Sequence, residues 1–197
     1  FWPPGGADAD WVHLGIEAAK VAVADRDAHL TDPAAMGVDV GWFLDPARLA
    51  ELAARLDRTR AHIPARARNP IGGGTVAFAA VDSEGNVVSA IESHYMGFGS
   101  GIADPATGIH YQNRGAYFSL EPDHPNVLAP GKRTLHTLLP WMLLRDGRPW
   151  IAGGSMGGDA QPQICAQIVA ALVDGGVDVA TAVAAPRWFV EPAEHFA

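Results

Sequence analysis

Thr75 closes the run Ile71-Gly72-Gly73-Gly74-Thr75, where a glycine-rich stretch feeds into alternating apolar and small residues. A threonine alcohol is a weak nucleophile unless a base sits beside it. Were the peptide bond between Gly74 and Thr75 cut, the new α-amine would supply that base from within the same residue. Such an amine titrates at about pH 8, so an appreciable neutral fraction exists near neutrality. The preceding glycines tolerate the strained backbone that attack by the hydroxyl on its own peptide bond requires. The same five residues also suit an ordinary glycine-rich loop ending in a β-favouring threonine, and that reading stays open here.

Gly153-Gly154-Ser155-Met156-Gly157 fits G-x-S-x-G between an expected strand and an expected helix, the setting of a serine nucleophile. A serine triad needs Asp and His partners on later strands. The chain beyond Ser155 is short and mostly helical in pattern, and its only histidine is His195. A serine hydrolase through Ser155 is therefore the weaker of two alternatives to a threonine nucleophile. The other is an uncleaved, catalytically silent chain that binds a small anion through its glycine loops. Gly157-Gly158 suits another task, a tight turn whose exposed amides hold an oxyanion at a helix start. A plain strand-to-helix turn fits the same residues.

Other signals carry less. Phe98-Gly99-Ser100-Gly101 is glycine-rich but does not complete G-x-G-x-x-G, and Pro130-Gly131-Lys132-Arg133 lacks the hydroxyl and upstream glycine of a P-loop. The eight histidines show no metal-ligand spacing, so no metal site is expected. Cys165 sits beside the apolar face of an expected helix, where a buried, inert thiol is the default.

Periodicity supplies the elements that must hold these residues. Apolar residues at helical spacing (Trp11, Leu14, Ala18, Val21) predict a helix over 10–30 with Asp10 as its cap. A second helix starts at Asp45-Pro46 and runs to about Leu56. Residues 57–74, rich in Arg, Pro and Gly, form the best linker candidate. Strands are expected from Thr75 to Asp82 and from Val87 to Met96, joined by Ser83-Glu84-Gly85-Asn86 as an antiparallel hairpin. Residues 97–133 read as loops with short strand fragments. Trp141 to Leu144 and Pro149 to Gly153 form another hairpin around Arg145-Asp146-Gly147. A helix begins near Gln161, presents Ile164, Ile168 and Leu172 on one face, and closes at Gly175. A last helix covers Val179 to Ala185. Strand pairs grouped together, with helices grouped at the ends, indicate an α+β fold.

Composition excludes several classes. The chain has 197 residues, 48% of them apolar, which is enough for a packed core. With 14 basic against 22 acidic residues its net charge is -8, the wrong sign for a nucleic-acid partner. The one basic run, Arg55, Arg58, Arg60, Arg66 and Arg68, reads as a solvated connector. A single cysteine excludes an internal disulfide framework. No segment has the length and apolarity of a membrane span. Phe1 is not an initiator methionine, which leads us to expect a fragment or processed product and leaves the compartment open.

The motifs also have a recognisable order. Ala24-Asp25-Arg26-Asp27 and Thr31-Asp32-Pro33 come first, then Gly74-Thr75, Val81-Asp82 and Gly85-Asn86. Phe98-Gly99-Ser100-Gly101, Gln112-Asn113-Arg114 and Phe118-Ser119 come next. Pro130-Gly131-Lys132-Arg133, Gly154-Ser155-Met156-Gly157-Gly158-Asp159 and Ala185-Pro186-Arg187 complete the series. From about residue 10 to 192, the chain resembles the γ-glutamyltransferase (glutathione hydrolase) family of N-terminal-nucleophile hydrolases.

The resemblance implies a proenzyme that cuts itself between Gly74 and Thr75. Residues 1–74 would end a large subunit, and 75–197 would form most of a small one. The beginning of the large subunit, with the family's arginine for the substrate carboxylate, would be missing. The implied fold is a four-layer αββα sandwich, here in part. Neither metal nor organic cofactor is implied, and the partner is a small amide or γ-glutamyl-like molecule. A homo-oligomer of heterodimers would be compatible with it. Thr75 would be the nucleophile, Gly157 and Gly158 the oxyanion pair, and Ser93 the hydroxyl that bonds the nucleophile.

Departures from the family pattern are equally specific. The threonine after the nucleophile is replaced by Val76, and an asparagine of the glutamyl pocket by Tyr95. Two aspartates, one of which holds the glutamyl amine, fall on Ala116 and Tyr117. A serine pair that grips the α-carboxylate falls on His136 and Thr137. Loss of a charged hydrogen bond removes roughly 1.5–3 kcal/mol of recognition. These changes point away from glutathione and toward a branch with oxamate-amidohydrolase-like and acylase-like members. Arg114, Tyr95 and His136 could build a different anion pocket there, or be loop residues facing solvent.

Overall fold

The computed structural model describes residues 8–62 and 73–190. In chain order it contains α1 (Ala9–His29), α2 (Val40–Phe43), α3 (Pro46–Ala54), β1 (Gly73–Val81), β2 (Val87–Met96), β3 (Trp141–Arg145), β4 (Arg148–Gly153), α4 (Gln161–Val173) and α5 (Val179–Ala184). This is an α+β chain. Arg66 and Arg68 of the basic run, Ile71 and Gly72 before Thr75, and His195 lie outside the described residues.

Aspartates set the helix starts. Asp8 accepts the Trp11 amide at 2.8 Å, Asp45 the Arg48 amide at 2.7 Å, and Asp178 the Thr181 amide at 3.0 Å. The cap of α1 is thus Asp8 rather than the expected Asp10. Asp8 has extended backbone, whereas Asp10 already lies in the first turn, where its charge still favours the helix dipole. α2, a single turn, is too short to leave a periodic trace in the sequence.

Two compact units divide the described residues. Those within Phe1–Arg68, Gly115–Leu135 and Val169–Ala197 form the first. There Trp11 meets Trp188 edge to face at 6.4 Å between ring centroids. Gly15 makes room for that indole, since a β-carbon at 15 would stand 2.5 Å from it. Asn126, fully buried, ties three segments together. Its amide donates to the Tyr117 carbonyl (2.7 Å) and the Thr134 hydroxyl (2.9 Å). Its carbonyl accepts from the Thr31 hydroxyl (3.0 Å) and the Leu135 amide (3.2 Å).

Asn69–Arg114 and His136–Ile168 bound the second unit. It holds two separate antiparallel hairpins, β1 with β2 and β3 with β4. They pack directly on each other: the Ser89 hydroxyl donates to the Gly153 carbonyl at 2.8 Å. Gly154 sits so close to Ile91 and Ala77 that a β-carbon there would be 3.1 and 3.2 Å from them. Gly153 is covered by the Trp141 indole. Behind β4, the wholly buried Gln161 at the start of α4 accepts the Leu139 amide at 3.1 Å. Cys165 is buried in α4, and burial pushes its thiol pKa up, as befits an inert core residue.

Candidate active site

The first hairpin is regular from Val81↔Val87 down to Thr75↔Ser93, then slips. Gly74 pairs with Tyr95 rather than His94, so β2 carries one extra residue at this point. Such a bulge bends the strand and re-aims the neighbouring side chains. Tyr95 accommodates it with φ of 75°, a left-handed conformation unusual for a bulky residue. That geometry costs on the order of 1–3 kcal/mol and persists only where the surroundings enforce it.

The surroundings are specific. Asn113 clamps the far side of the bulge: its Oδ1 accepts the Met96 amide at 3.0 Å. Its Nδ2 donates to the carbonyls of Met96 (3.2 Å) and Gly99 (3.0 Å), and its own amide donates to the His94 carbonyl (3.1 Å). Gly74 must be glycine, since a β-carbon there would lie 2.5 Å from the Gly97 carbonyl oxygen.

Thr75 emerges half-buried at this distorted end, its Oγ1 2.8 Å from Ser93 Oγ. Ser93 Oγ accepts the Tyr95 amide at 2.9 Å and Arg114 Nη2 at 3.1 Å. Arg114, 7% exposed, also reaches the buried Thr137 hydroxyl at 3.4 Å and lies over the Tyr95 ring at 4.9 Å. The fold thus brings together five of the residues singled out from the sequence: Thr75, Ser93, Tyr95, Arg114 and Thr137. A guanidinium, two further hydroxyls and a phenol ring are linked to the Thr75 hydroxyl through Ser93. They are equipped to activate an alcohol and to receive an anion.

The other expected residues have settings of their own. His136 is exposed and accepts the Leu138 amide at 3.2 Å. Gly157 and Gly158 adopt φ of 135° and 53° just past β4, leading through the turn Gly158–Ala160 into α4. Among the described residues no hydrogen bond joins their amides to Thr75. Tyr117 belongs to the first unit, where it is buried. The Ser155 hydroxyl donates to the Met156 carbonyl next door at 2.7 Å and bonds no histidine among the described residues.

In the sequence Asn113 stands out only as part of a motif, and its clamp is a finding of the fold. The available signal is a lone asparagine downstream of Gly97, Gly99 and Gly101, since a carboxamide can stand in for a peptide group beside turning backbone. Two other motifs are structural. Asp32 accepts the Arg133 amide (2.9 Å) and its guanidinium (3.2 Å), and Lys132 donates to the Pro125 carbonyl (2.6 Å).

The gamma-glutamyltranspeptidase family model matches residues 4–194, and the chain belongs to that family. Two curated relatives narrow the neighbourhood. The glutathione hydrolase-like YwrD proenzyme of Bacillus subtilis is 41% identical over 179 residues, 91% of this chain and 34% of that protein. The oxamate amidohydrolase proenzyme of Klebsiella pneumoniae is 46% identical over 189 residues, 93% of this chain and 34% of that protein. Among solved structures, cephalosporin acylase from Bacillus halodurans superposes with a TM-score of 0.81 at 40% identity, over 95% of this chain and 34% of that one. The chain spans about a third of the length of the curated relatives it matches.

Proposed function

We propose that the protein is an amidohydrolase or acyltransferase that cuts itself before Thr75 and then works through an ester on Thr75. One observation carries this reading: the Thr75 hydroxyl sits at a strained, bulged strand end, bonded to Ser93. Similarity to proenzymes named for amide cleavage supports it. In self-cleavage, Thr75 Oγ1 adds to the Gly74 carbonyl carbon and the C–N bond breaks. The hydroxyl proton ends on the released amine, and water then hydrolyses the Gly74 ester. Residues 1–74 become the end of one subunit, and 75–197 most of the other.

In turnover the α-amine of Thr75 takes the hydroxyl proton as Oγ1 attacks a substrate carbonyl, then passes it to the leaving amine. Gly157 and Gly158 are the proposed oxyanion pair, their left-handed backbone suiting exposed amides. Tyr95, Arg114, Thr137 and His136 form the proposed acyl-side pocket, suited to a small anionic acyl group rather than a γ-glutamyl amine. The four-layer αββα sandwich is proposed for the whole protein. The apolar face of the first hairpin, with Val76, Phe78 and Val88 more than half exposed, suits packing against a further layer.

Denaturing mass measurement of the full-length protein tests the reading. Two chains are expected, the second beginning with Thr75, while Thr75→Ala stays whole. An active wild-type chain that never splits would overturn it. Comparing hydrolysis of oxamate, simple acyl amides and a γ-glutamyl anilide then assigns the acyl group.

A further inference from the structure

Ser93 Oγ has three polar neighbours and a single hydrogen. Two neighbours, the Tyr95 amide and Arg114 Nη2, can only donate, so they occupy both lone pairs of the oxygen. The Ser93 hydrogen must then point at the third neighbour, Thr75 Oγ1, 2.8 Å away. Thr75 is left with its own hydrogen free for transfer and with a donor aimed at its oxygen. That donor is not neutral in character. A buried guanidinium pulling on the same oxygen makes the Ser93 hydroxyl a stronger donor.

We infer that Arg114 is a positioning residue for the nucleophile, acting through Ser93 to stabilise negative charge on Thr75 Oγ1 as its proton leaves. The inference rests on the proposed role of Thr75. It assigns Arg114 a task that exists before any substrate arrives. In the step itself the Oγ1–carbon bond forms, the carbonyl π pair moves to its oxygen, and the Thr75 proton passes to the residue-75 nitrogen. In turnover that nitrogen is the free α-amine; in self-cleavage it is the nitrogen released as the Gly74–Thr75 C–N bond breaks. Ser93 keeps its proton throughout. The device depends on the bulge, because only the offset at His94 brings the Tyr95 amide back onto Ser93.

Self-cleavage of the full-length precursor provides a test free of substrate binding. First-order cleavage rates would be measured for wild type, Arg114→Gln, Arg114→Lys, Ser93→Ala and the doubles Arg114→Gln/Ser93→Ala and Arg114→Lys/Ser93→Ala, with thermal melts alongside. Arg114→Gln keeps a donor but loses the charge, and a roughly tenfold slowing is expected. Arg114→Lys keeps the charge but loses the planar fork shared by Ser93, Thr137 and the Tyr95 ring, so its slowing should fall between wild type and Arg114→Gln. In the Ser93→Ala background the Arg114→Gln change should have no further effect, the mark of one chain of action. Equal slowing by Arg114→Gln in both backgrounds, or wild-type speed in a folded Arg114→Gln chain, would overturn the inference. If Arg114→Gln does not fold, equal slowing by Arg114→Lys in the wild-type and Ser93→Ala backgrounds overturns it equally. A wild-type chain that never cuts would instead overturn the proposed role of Thr75.

Discussion

A β-carbon on Gly74 would stand 2.5 Å from the carbonyl oxygen of Gly97, and both are backbone positions with no flexible side chain to move aside. Gly74→Ala must therefore displace the peptide bond that is the proposed point of cleavage. The variant should fold at a cost of about 1–3 kcal/mol, in the range of overpacking, and cut itself at least tenfold more slowly. A time course of the precursor on a denaturing gel, with a thermal melt beside it, checks both halves.

Ser155 provides the contrasting case. Its hydroxyl is spent on the adjacent Met156 carbonyl, so Ser155→Ala should lose no more than about 0.5–1.5 kcal/mol of stability. It should still split into two chains and still label with an acylating substrate, whereas Thr75→Ala should do neither. Mass spectrometry of the acylated protein distinguishes them. Label retained in Thr75→Ala and lost in Ser155→Ala would restore the serine reading.

Asp32 predicts an acid dependence. Its carboxyl is held down to about 2, chiefly by the Arg133 amide, then by the Arg133 guanidinium and the Ala34 amide. A depressed carboxylate contributes stability that is fully present above its unfolded value of about 4 and is lost as pH falls through about 2. The stability gap between wild type and Asp32→Asn should thus hold steady above about pH 4 and close toward pH 2. Urea unfolding at stepped pH values measures it, and a gap that widens on acidification would contradict this assignment.

Asn126 should be the costliest polar position in the first unit. Its side chain satisfies two donors and two acceptors with no exposure to water. Asn126→Ala would remove four buried hydrogen bonds, those to the Tyr117 carbonyl and the Leu135 amide among them. A loss of about 2–4 kcal/mol is expected from denaturant unfolding.

Much of the scaffold is legible in the sequence because its signals are local. The Ser83–Asn86 turn flanked by alternating residues gives the first hairpin to within two residues at every end. Asp45-Pro46 announces a helix start through short-range capping. Thr75, Ser93 and Arg114 are reachable through motif order. What stays hidden depends on pairing at a distance. The left-handed Tyr95 comes from a register slip that no local pattern encodes. The four bonds of Asn126 join segments from Thr31 to Leu135 that only the folded chain assembles. The pull of Arg114 on Ser93 needs both the slip and the clamp by Asn113.

The extra residue in β2 has one more consequence. Facing alternates along a strand, so deleting His94 would restore even pairing and turn Tyr95 and Met96 to the opposite side. No substitution could repair that, because what changes is arithmetic rather than chemistry. The count of residues between Ser93 and Asn113 is therefore a constraint in its own right, and engineered variants of this hairpin must conserve length before they conserve composition.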